Sequence, residues 1–166
     1  MSVEVGKTRM REKHRDDMED VFLREAPRLW RALFAYCGDP EISSDAVSEA
    51  FAQLLGREAE VTMPNRWVWR AAFKIAGGEL KRRGRSEPLR SDVSEVVDAV
   101  PEPLTDLLEA LDGLTHKQRA ATILHYYGGY STREIADILG SSAATVRVHL
   151  SQGRKRLRAT LGGSDG

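Results

Sequence analysis

The sequence predicts an all-α protein: two small helical domains joined by a flexible linker, the second domain a helix-turn-helix. Three observations carry this. Apolar residues recur at three- and four-residue spacing through residues 18–83 and 104–161, and no segment shows the sustained alternation that a half-buried strand needs. Residues 84–103, GRSEPLRSDVSEVVDAVPEP, hold three of the six prolines and lack a period, so they read as the linker. Residues 131–157, STREIADILGSSAATVRVHLSQGRKRL, place helix-start and helix-stop residues where two helices and a tight turn require them.

Taken in order, residues 1–17 are polar and mixed in charge, and are expected to fray. The first helix carries a stripe of Val21, Phe22, Leu29, Leu33 and Phe34 and is broken at Gly38-Asp39-Pro40. A second carries Ala46, Val47, Ala50, Phe51, Leu54 and Leu55. Residues 61–64 read as a loop, after which Asn65 is the expected cap of a third helix running through Trp67, Val68, Ala71, Ala72, Ile75 and Leu80 into the basic run Lys81, Arg82, Arg83. Beyond the linker, Thr115 and Gln118 form a capping box ahead of Ala120, Ala121, Ile123, Leu124 and Tyr127. Ser131 and Glu134 form another, fixing the start of a short helix with Ile135, Ile138 and Leu139 on its inner side. Gly140 supplies a residue that tolerates positive φ at that helix's end, and Ser141 and Ser142 offer caps for the next. In the last helix Val146, Leu150, Gly153, Leu157 and Leu161 face inward. Arg147, Ser151, Arg154, Lys155 and Arg158 therefore face outward.

The chain has 166 residues, 41% of them hydrophobic, ordinary for a folded protein, and its formal net charge is zero. The zero hides strong blocks. Residues 61–85 carry seven Lys/Arg against one acid, residues 114–166 eight against three, and residues 86–113 one against eight. Two basic blocks around an acidic spacer make two candidate polyanion-binding surfaces. A single cysteine, Cys37, excludes an internal disulfide and a thiolate-rich metal site, and in its apolar surroundings it reads as a small core residue. His14, His116, His125 and His149 show no metal-ligand spacing, so no metal and no cofactor is expected. No apolar run is long enough to span a bilayer, and the densely charged first twenty residues do not resemble a signal peptide; a cytoplasmic location is expected.

A basic helix face is in general most often just a solvated face. Here it follows a short capped helix and a tight turn, and a helix buried on one side, cationic on the other and presented in this way suits the major groove. No grouping of acid, base and nucleophile emerges, so an enzyme is not expected. DNA binding is the function class the residues support.

The motifs also carry a resemblance to a family. The stretch LTHKQRAATILHYYGGYSTREIADILGSSAATVRVHLSQGRKRL resembles the fourth conserved region of the sigma-70 superfamily, with its LT-x-x-QR opening, EIA-x-ILG core and TVR at the start of the recognition helix. GDPEISSDAVSEAF is similar to the acidic helix of the second region, and WVWRAAFKIA to its W-x-x-R-x-A helix. Two motif sets in the expected order, spanning roughly residues 20–160, resemble a bacterial extracytoplasmic-function (ECF) sigma factor, the class that keeps only regions 2 and 4. Lys74 stands where the family often has Asn, Gly77-Gly78 is expected to interrupt what is usually an unbroken helix, and Gln152-Gly153 replaces a common Arg-Ala. These departures bear on which promoter is read.

The resemblance implies a protein that binds core RNA polymerase, recognises promoter DNA and helps to open it, with residues 18–83 as the region 2 domain, 84–103 as linker and 104–161 as the region 4 domain. It implies that the acidic helix docks on a large polymerase subunit through Asp45, Ser48, Glu49 and Gln53, a polar face suited to basic partner residues. Unpaired bases would be held by aromatic rings and cations interleaved on the third helix: Arg66, Trp69, Arg70, Phe73 and Lys74, with Lys81 and Arg82 beyond. Trp67 matches the family's inward tryptophan, so Trp69 and Phe73 are expected on the exposed side. The segment 57–65 corresponds to the loop that accepts a flipped base in the family. Reading of the upstream element would fall to Ser142, Thr145, Arg147, Val148, Ser151 and Gln152, with Arg154, Lys155 and Arg158 on phosphates. Many relatives are held by an anti-sigma factor, so such a partner is part of the expectation. The alternative is a stand-alone helix-turn-helix repressor or activator, whose N-terminal domain would dimerise or bind a ligand.

Overall fold

The computed structural model describes residues 2–57, 59–84 and 102–162, and every regular element among them is a helix. They are α1 (Ser2–Cys37), α2 (Pro40–Leu55), α3 (Pro64–Arg83), α4 (Glu102–Asp112), α5 (His116–Tyr126), α6 (Thr132–Leu139) and α7 (Ala143–Gly162). The expected linker lies outside the described residues over 85–101.

The N-terminal unit is α1 to α3 packed pairwise. Residues 2–17, expected to fray, are instead helical: Glu, Lys, Arg and Met are good helix formers, and they extend the helix that begins to be buried at Met18. Asp39 caps α2, its Oδ1 accepting from the Glu41 and Ile42 backbone N–H groups at 2.8 and 3.0 Å, and Pro40 occupies the first helical position, where no N–H is needed. For α3 the expected cap was wrong. Met63 stands at the cap position without a side-chain bond, because Pro64 already sets the helical φ and draws Asn65 inside. The interruption expected at Gly77-Gly78 does not occur: the helix runs unbroken from Pro64 to Arg83, since two glycines cost helix propensity but remove no backbone hydrogen bond. Ala46, Ala50, Ala72 and Ala76 are fully buried small residues at helical spacing that let α2 and α3 approach each other and α1 closely.

The C-terminal unit follows its local signals closely. Both capping boxes close reciprocally, at Thr115 with Gln118 and at Ser131 with Glu134. Gly140 takes the left-handed conformation, φ 63° and ψ 43°, and ends α6 so that α7 can begin at Ala143, three residues later. Ile135, Val146 and Leu150 fill the space between α5, α6 and α7. Gly153 sits where α7 crosses α5: a Cβ there would lie 2.8 Å from the Thr122 hydroxyl, so this glycine serves packing.

The two units are packed together, α3 against α6 and α1 against α5. Arg119, 1% exposed, spans the junction. Its guanidinium donates to the carbonyls of Leu111 (2.8 Å), Leu114 (3.0 Å) and Asp112 (3.3 Å) in its own unit and to that of Tyr36 (2.8 Å) in the last turn of α1, where the helix presents carbonyls without helical partners. Cys37 is buried as expected, its thiol 3.3 Å from the Ser43 hydroxyl, and burial pushes its pKa up, away from reactivity.

Candidate nucleic-acid interface

The outer face of α7 is assembled by the turn before it. Ser142 caps the helix, its Oγ accepting from the Thr145 backbone N–H at 3.1 Å and meeting the Thr145 hydroxyl at 2.8 Å, so both are anchored at the helix entrance. Arg147, Val148, Ser151, Lys155 and Arg158 are exposed, as are Arg154 and Gln152. Gln152 is held to the helix flank by Gln118 Nε2, which donates to its Oε1 at 2.9 Å, and Arg154 donates to the Tyr126 hydroxyl at 3.3 Å. With the buried side locked by Val146, Leu150 and Gly153, the exposed residues have one orientation relative to the unit. A base-reading surface needs that rigidity. The structure brings all nine expected residues together.

On α3 the outcome is mixed. Arg66, Arg70 and Lys74 recur every four residues along one line of the helix, and Lys81, Arg82 and Arg83 follow at its end. Arg82 pairs with Glu79, and Arg83 with Asp39. The rings expected to stack on bases, Trp69 and Phe73, are core: they are 0% and 3% exposed. The Trp69 indole N–H donates to the Glu25 carboxylate at 2.9 Å, Tyr130 meets its ring edge-on at 5.5 Å, and Phe73 packs on Tyr36 at 5.2 Å. An indole with its one donor satisfied by a buried carboxylate is structural. Trp67, expected inward, is the half-buried one, and it lines two clefts. One, of about 670 Å³, runs between α2 and α3 with Trp67, Ala71, Ile75 and Gly78 as its apolar part and Arg57, Arg70, Lys74 and Arg82 as its cations. The other, of about 310 Å³, lies between the segment around 57–63 and the start of α3, with Arg57, Arg66 and Arg70 around it. The spacing of the cations offered a signal for both, and the register of Trp69 with Ala72, Phe73, Ala76 and Leu80 was the signal that marked it as the inward ring.

Comparison with known proteins decides what such a pair of surfaces belongs to. Residues 104–157 match the family model described as sigma-70, region 4. Over 159 residues the chain is 30% identical to an RNA polymerase sigma-E factor of Streptomyces coelicolor, covering 86% of this chain and 81% of that protein. The chain belongs to the ECF sigma factors of RNA polymerase. A further relative, the ECF RNA polymerase sigma factor SigE of Mycolicibacterium smegmatis, is 29% identical over 157 residues, 86% of this chain; the chain spans 61% of that protein's length. The fold matches that of the sigma factor RpoE of Bartonella quintana, solved in complex with the anti-sigma factor NepR, with a TM-score of 0.72 and 20% identity, covering 88% of this chain and 97% of that one. This sigma factor is thus a transcription initiation factor that works with RNA polymerase, and its all-α architecture is the family's.

The remaining expected surface of the sigma factor is on α2. Asp45, Ser48, Glu49 and Gln53 are all exposed, opposite the buried Val47, Ala50, Phe51 and Leu54, and Gln53 Nε2 donates to Glu49 Oε1 at 2.9 Å. Gln53 also lines the edge of the larger cleft, so the acidic face and the α3 groove adjoin. Two residues that matter escaped the sequence reading. Arg119 and Glu25 are buried charges that each add one partner from a distant part of the chain, the Tyr36 carbonyl and the Trp69 indole, to local ones, and only the capping box beside Arg119 marked its neighbourhood. Around Trp69, burial and the nearby Glu25 carboxylate push the Tyr130 hydroxyl up to about 12. No helix among the described residues is long and apolar enough to cross a membrane.

Proposed function

We propose that the sigma factor divides its work between two units, residues 18–83 for docking on core polymerase and for holding opened promoter DNA, and residues 104–161 for reading the upstream element, with 84–103 as the tether. The observation that carries this is the separation of two cationic surfaces of different character. One is a convex helix face with polar side chains at its exposed start, shaped for a major groove. The other is a pair of clefts with a tryptophan in the wall and arginines at the rim, suited to unstacked bases and the backbone between them.

In this reading Arg147, Val148, Ser151 and Gln152, with Ser142 and Thr145 at the entrance, select bases, Arg147 leading because a guanidinium can grip guanine in two places. Arg154, Lys155 and Arg158 take phosphates and fix the register. On α3, Arg66, Arg70 and Lys74 hold the displaced strand and Trp67 supplies the stacking surface in place of Trp69 and Phe73; Lys81 and Arg82 extend the backbone track. Asp45, Ser48, Glu49 and Gln53 dock on basic residues of core polymerase, an electrostatic contact that sets orientation and association rate. The protein contributes binding and positioning, the polymerase contributes the chemistry, and both act in the cytoplasm.

The test is reconstitution. Purified protein added to core polymerase should give transcription from a defined start site on a promoter-bearing template. A chain that gives none, and binds a symmetric operator unaided as a dimer, is instead a stand-alone regulator.

A further inference from the structure

The amide of Gln152 is oriented by groups that begin at the start of α5. In the capping box there, the Gln118 backbone N–H donates to the Thr115 hydroxyl at 3.2 Å, and Gln118 Oε1 accepts from the Thr115 backbone N–H at 3.2 Å. A backbone N–H can only donate, so the atom of Gln118 that meets it has to be the carbonyl oxygen. The side chain is 5% exposed, and its amide is left with one orientation. Its Nε2 is thereby turned across to α7, where it donates to Gln152 Oε1 at 2.9 Å. The reverse orientation of Gln152 would set two N–H donors against each other at that distance. Orientation thus passes from a helix cap, through a buried amide, to an exposed side chain on the recognition helix.

Gln152 lies one turn beyond Val148 and two turns beyond Thr145 on the same flank of α7. It is also one of the departures from the family's pattern, a glutamine in place of a common arginine. A glutamine whose amide can turn reads adenine with both arms, Oε1 accepting from N6 and Nε2 donating to N7. Here Oε1 is drawn to Gln118, so the amide nitrogen is the arm left for a base, and it only donates. Guanine offers O6 and N7 as acceptors along its major-groove edge. Adenine sets its amino donor beside N7, and cytosine presents a donor alone.

We propose that Gln118 is a positioning residue for promoter selectivity: it locks the Gln152 amide as a donor, so that the upstream-element position facing Gln152 is read as guanine in preference to adenine. The proposal rests on the reading that the outer face of α7 contacts the upstream element. The lock lies wholly within the C-terminal unit, between α5 and α7. Turning Gln152 to grip adenine would leave the buried Gln118 amide nitrogen without its acceptor, a cost that opposes the adenine contact.

The experiment uses the full chain assembled with core polymerase, and a library of templates randomised across the upstream element of a promoter that this holoenzyme uses. Templates retained by the holoenzyme are recovered and sequenced. Wild type should favour guanine over adenine about fivefold at one position, and Gln152→Ala should remove the preference at that position alone. Gln118→Glu reverses the lock. A glutamate at this place in a capping box still accepts from the Thr115 N–H, and its second oxygen accepts where Nε2 donated. The Gln152 amide then turns Nε2 to the new carboxylate and presents Oε1. At the same position the preference should pass to the bases with an amino donor, cytosine or adenine, over guanine, with the other positions and the melting temperature unchanged. Gln152 is exposed, so the comparison of wild type with Gln152→Ala stands whatever the stability of Gln118→Glu. Adenine retained as well as guanine at the Gln152-dependent position, the lack of any such position, or an unchanged preference in a folded Gln118→Glu chain overturns the lock. Arg147→Ala separates this from the underlying assignment. A preference altered by Arg147→Ala keeps α7 as the base-reading face when the lock fails, and no alteration by any of the three variants removes both.

Discussion

Gly153 stands in the recognition helix beside residues proposed to read bases, yet the structure assigns it to packing, and Gly153→Ala separates the two roles. In an open helix the substitution stabilises by about 1 kcal/mol, because alanine loses less backbone entropy than glycine. Here the new Cβ would lie 2.8 Å from Thr122 Oγ1, a hydroxyl that itself donates to the Gln118 carbonyl at 2.7 Å within α5. The hydroxyl cannot retreat without straining or losing that bond. Overpacking of this kind costs about 1–3 kcal/mol, so the net change is a destabilisation of about 0–2 kcal/mol, with about 1 kcal/mol expected. For a chain of this size that lowers the melting temperature by about 2–4 °C. In a Thr122→Ala background the obstacle is gone, and Gly153→Ala should turn neutral or stabilising. A double-mutant cycle by chemical denaturation, with circular dichroism as the signal, reads the coupling between the two sites. Promoter selectivity should stay unchanged wherever the helix remains folded. Stabilisation by Gly153→Ala alone, or additivity of the two substitutions, would refute the packing argument.

Further outcomes follow from the other surfaces. Arg147→Ala should reduce discrimination between promoter and mismatched sites by about 1–3 kcal/mol, while Lys155→Ala should weaken all DNA alike and flatten the salt dependence, as read by fluorescence anisotropy across a salt series. Glu49→Lys should lower affinity for core polymerase with little effect on melting temperature; unaltered affinity in a direct binding assay removes α2 from the interface. Trp67→Ala should impair transcription on intact promoter DNA and be rescued on a premelted template, whereas Trp69→Ala, which empties a fully buried site and leaves Glu25 without its indole donor, should cost about 3–5 kcal/mol of stability and fail equally on both templates. Glu134, held below its usual carboxylate range by the Ser131 backbone and side-chain hydrogen bonds, contributes stability that is complete above its ordinary value of 4.5 and is lost as pH falls through its lowered folded value. Glu134→Gln keeps the capping box and should flatten the acid limb of a stability-versus-pH curve.

What could be read from the sequence is what local chemistry decides. A capping box closes within four residues, a left-handed glycine ends its own helix, and a heptad-scale stripe orients a short helix against whatever covers it, so α6, the turn and α7 were legible down to the residues of the exposed outer face. The same holds for the acidic face of α2, whose opposite side is apolar except for the buried Ser43. The choice between Trp67 and Trp69 was only partly local. At 3.6 residues per turn Trp69 falls in register with Ala72, Phe73, Ala76 and Leu80, the face that is buried, while Trp67 lies beside the line of Arg66, Arg70 and Lys74; the spacing therefore favoured Trp69 as the inward ring, against the family match of Trp67. What fixes Trp69 comes from residues far away in the chain: Glu25 offers an acceptor to its indole and Tyr130 meets its ring edge-on, while Trp67 lines a cleft that no other element among the described residues fills. The buried Arg119, and with it the junction of the two units, has the same origin. Its acceptors are carbonyls exposed by the ends of other helices, and where a helix end lies in space is set by long-range packing that no local pattern encodes.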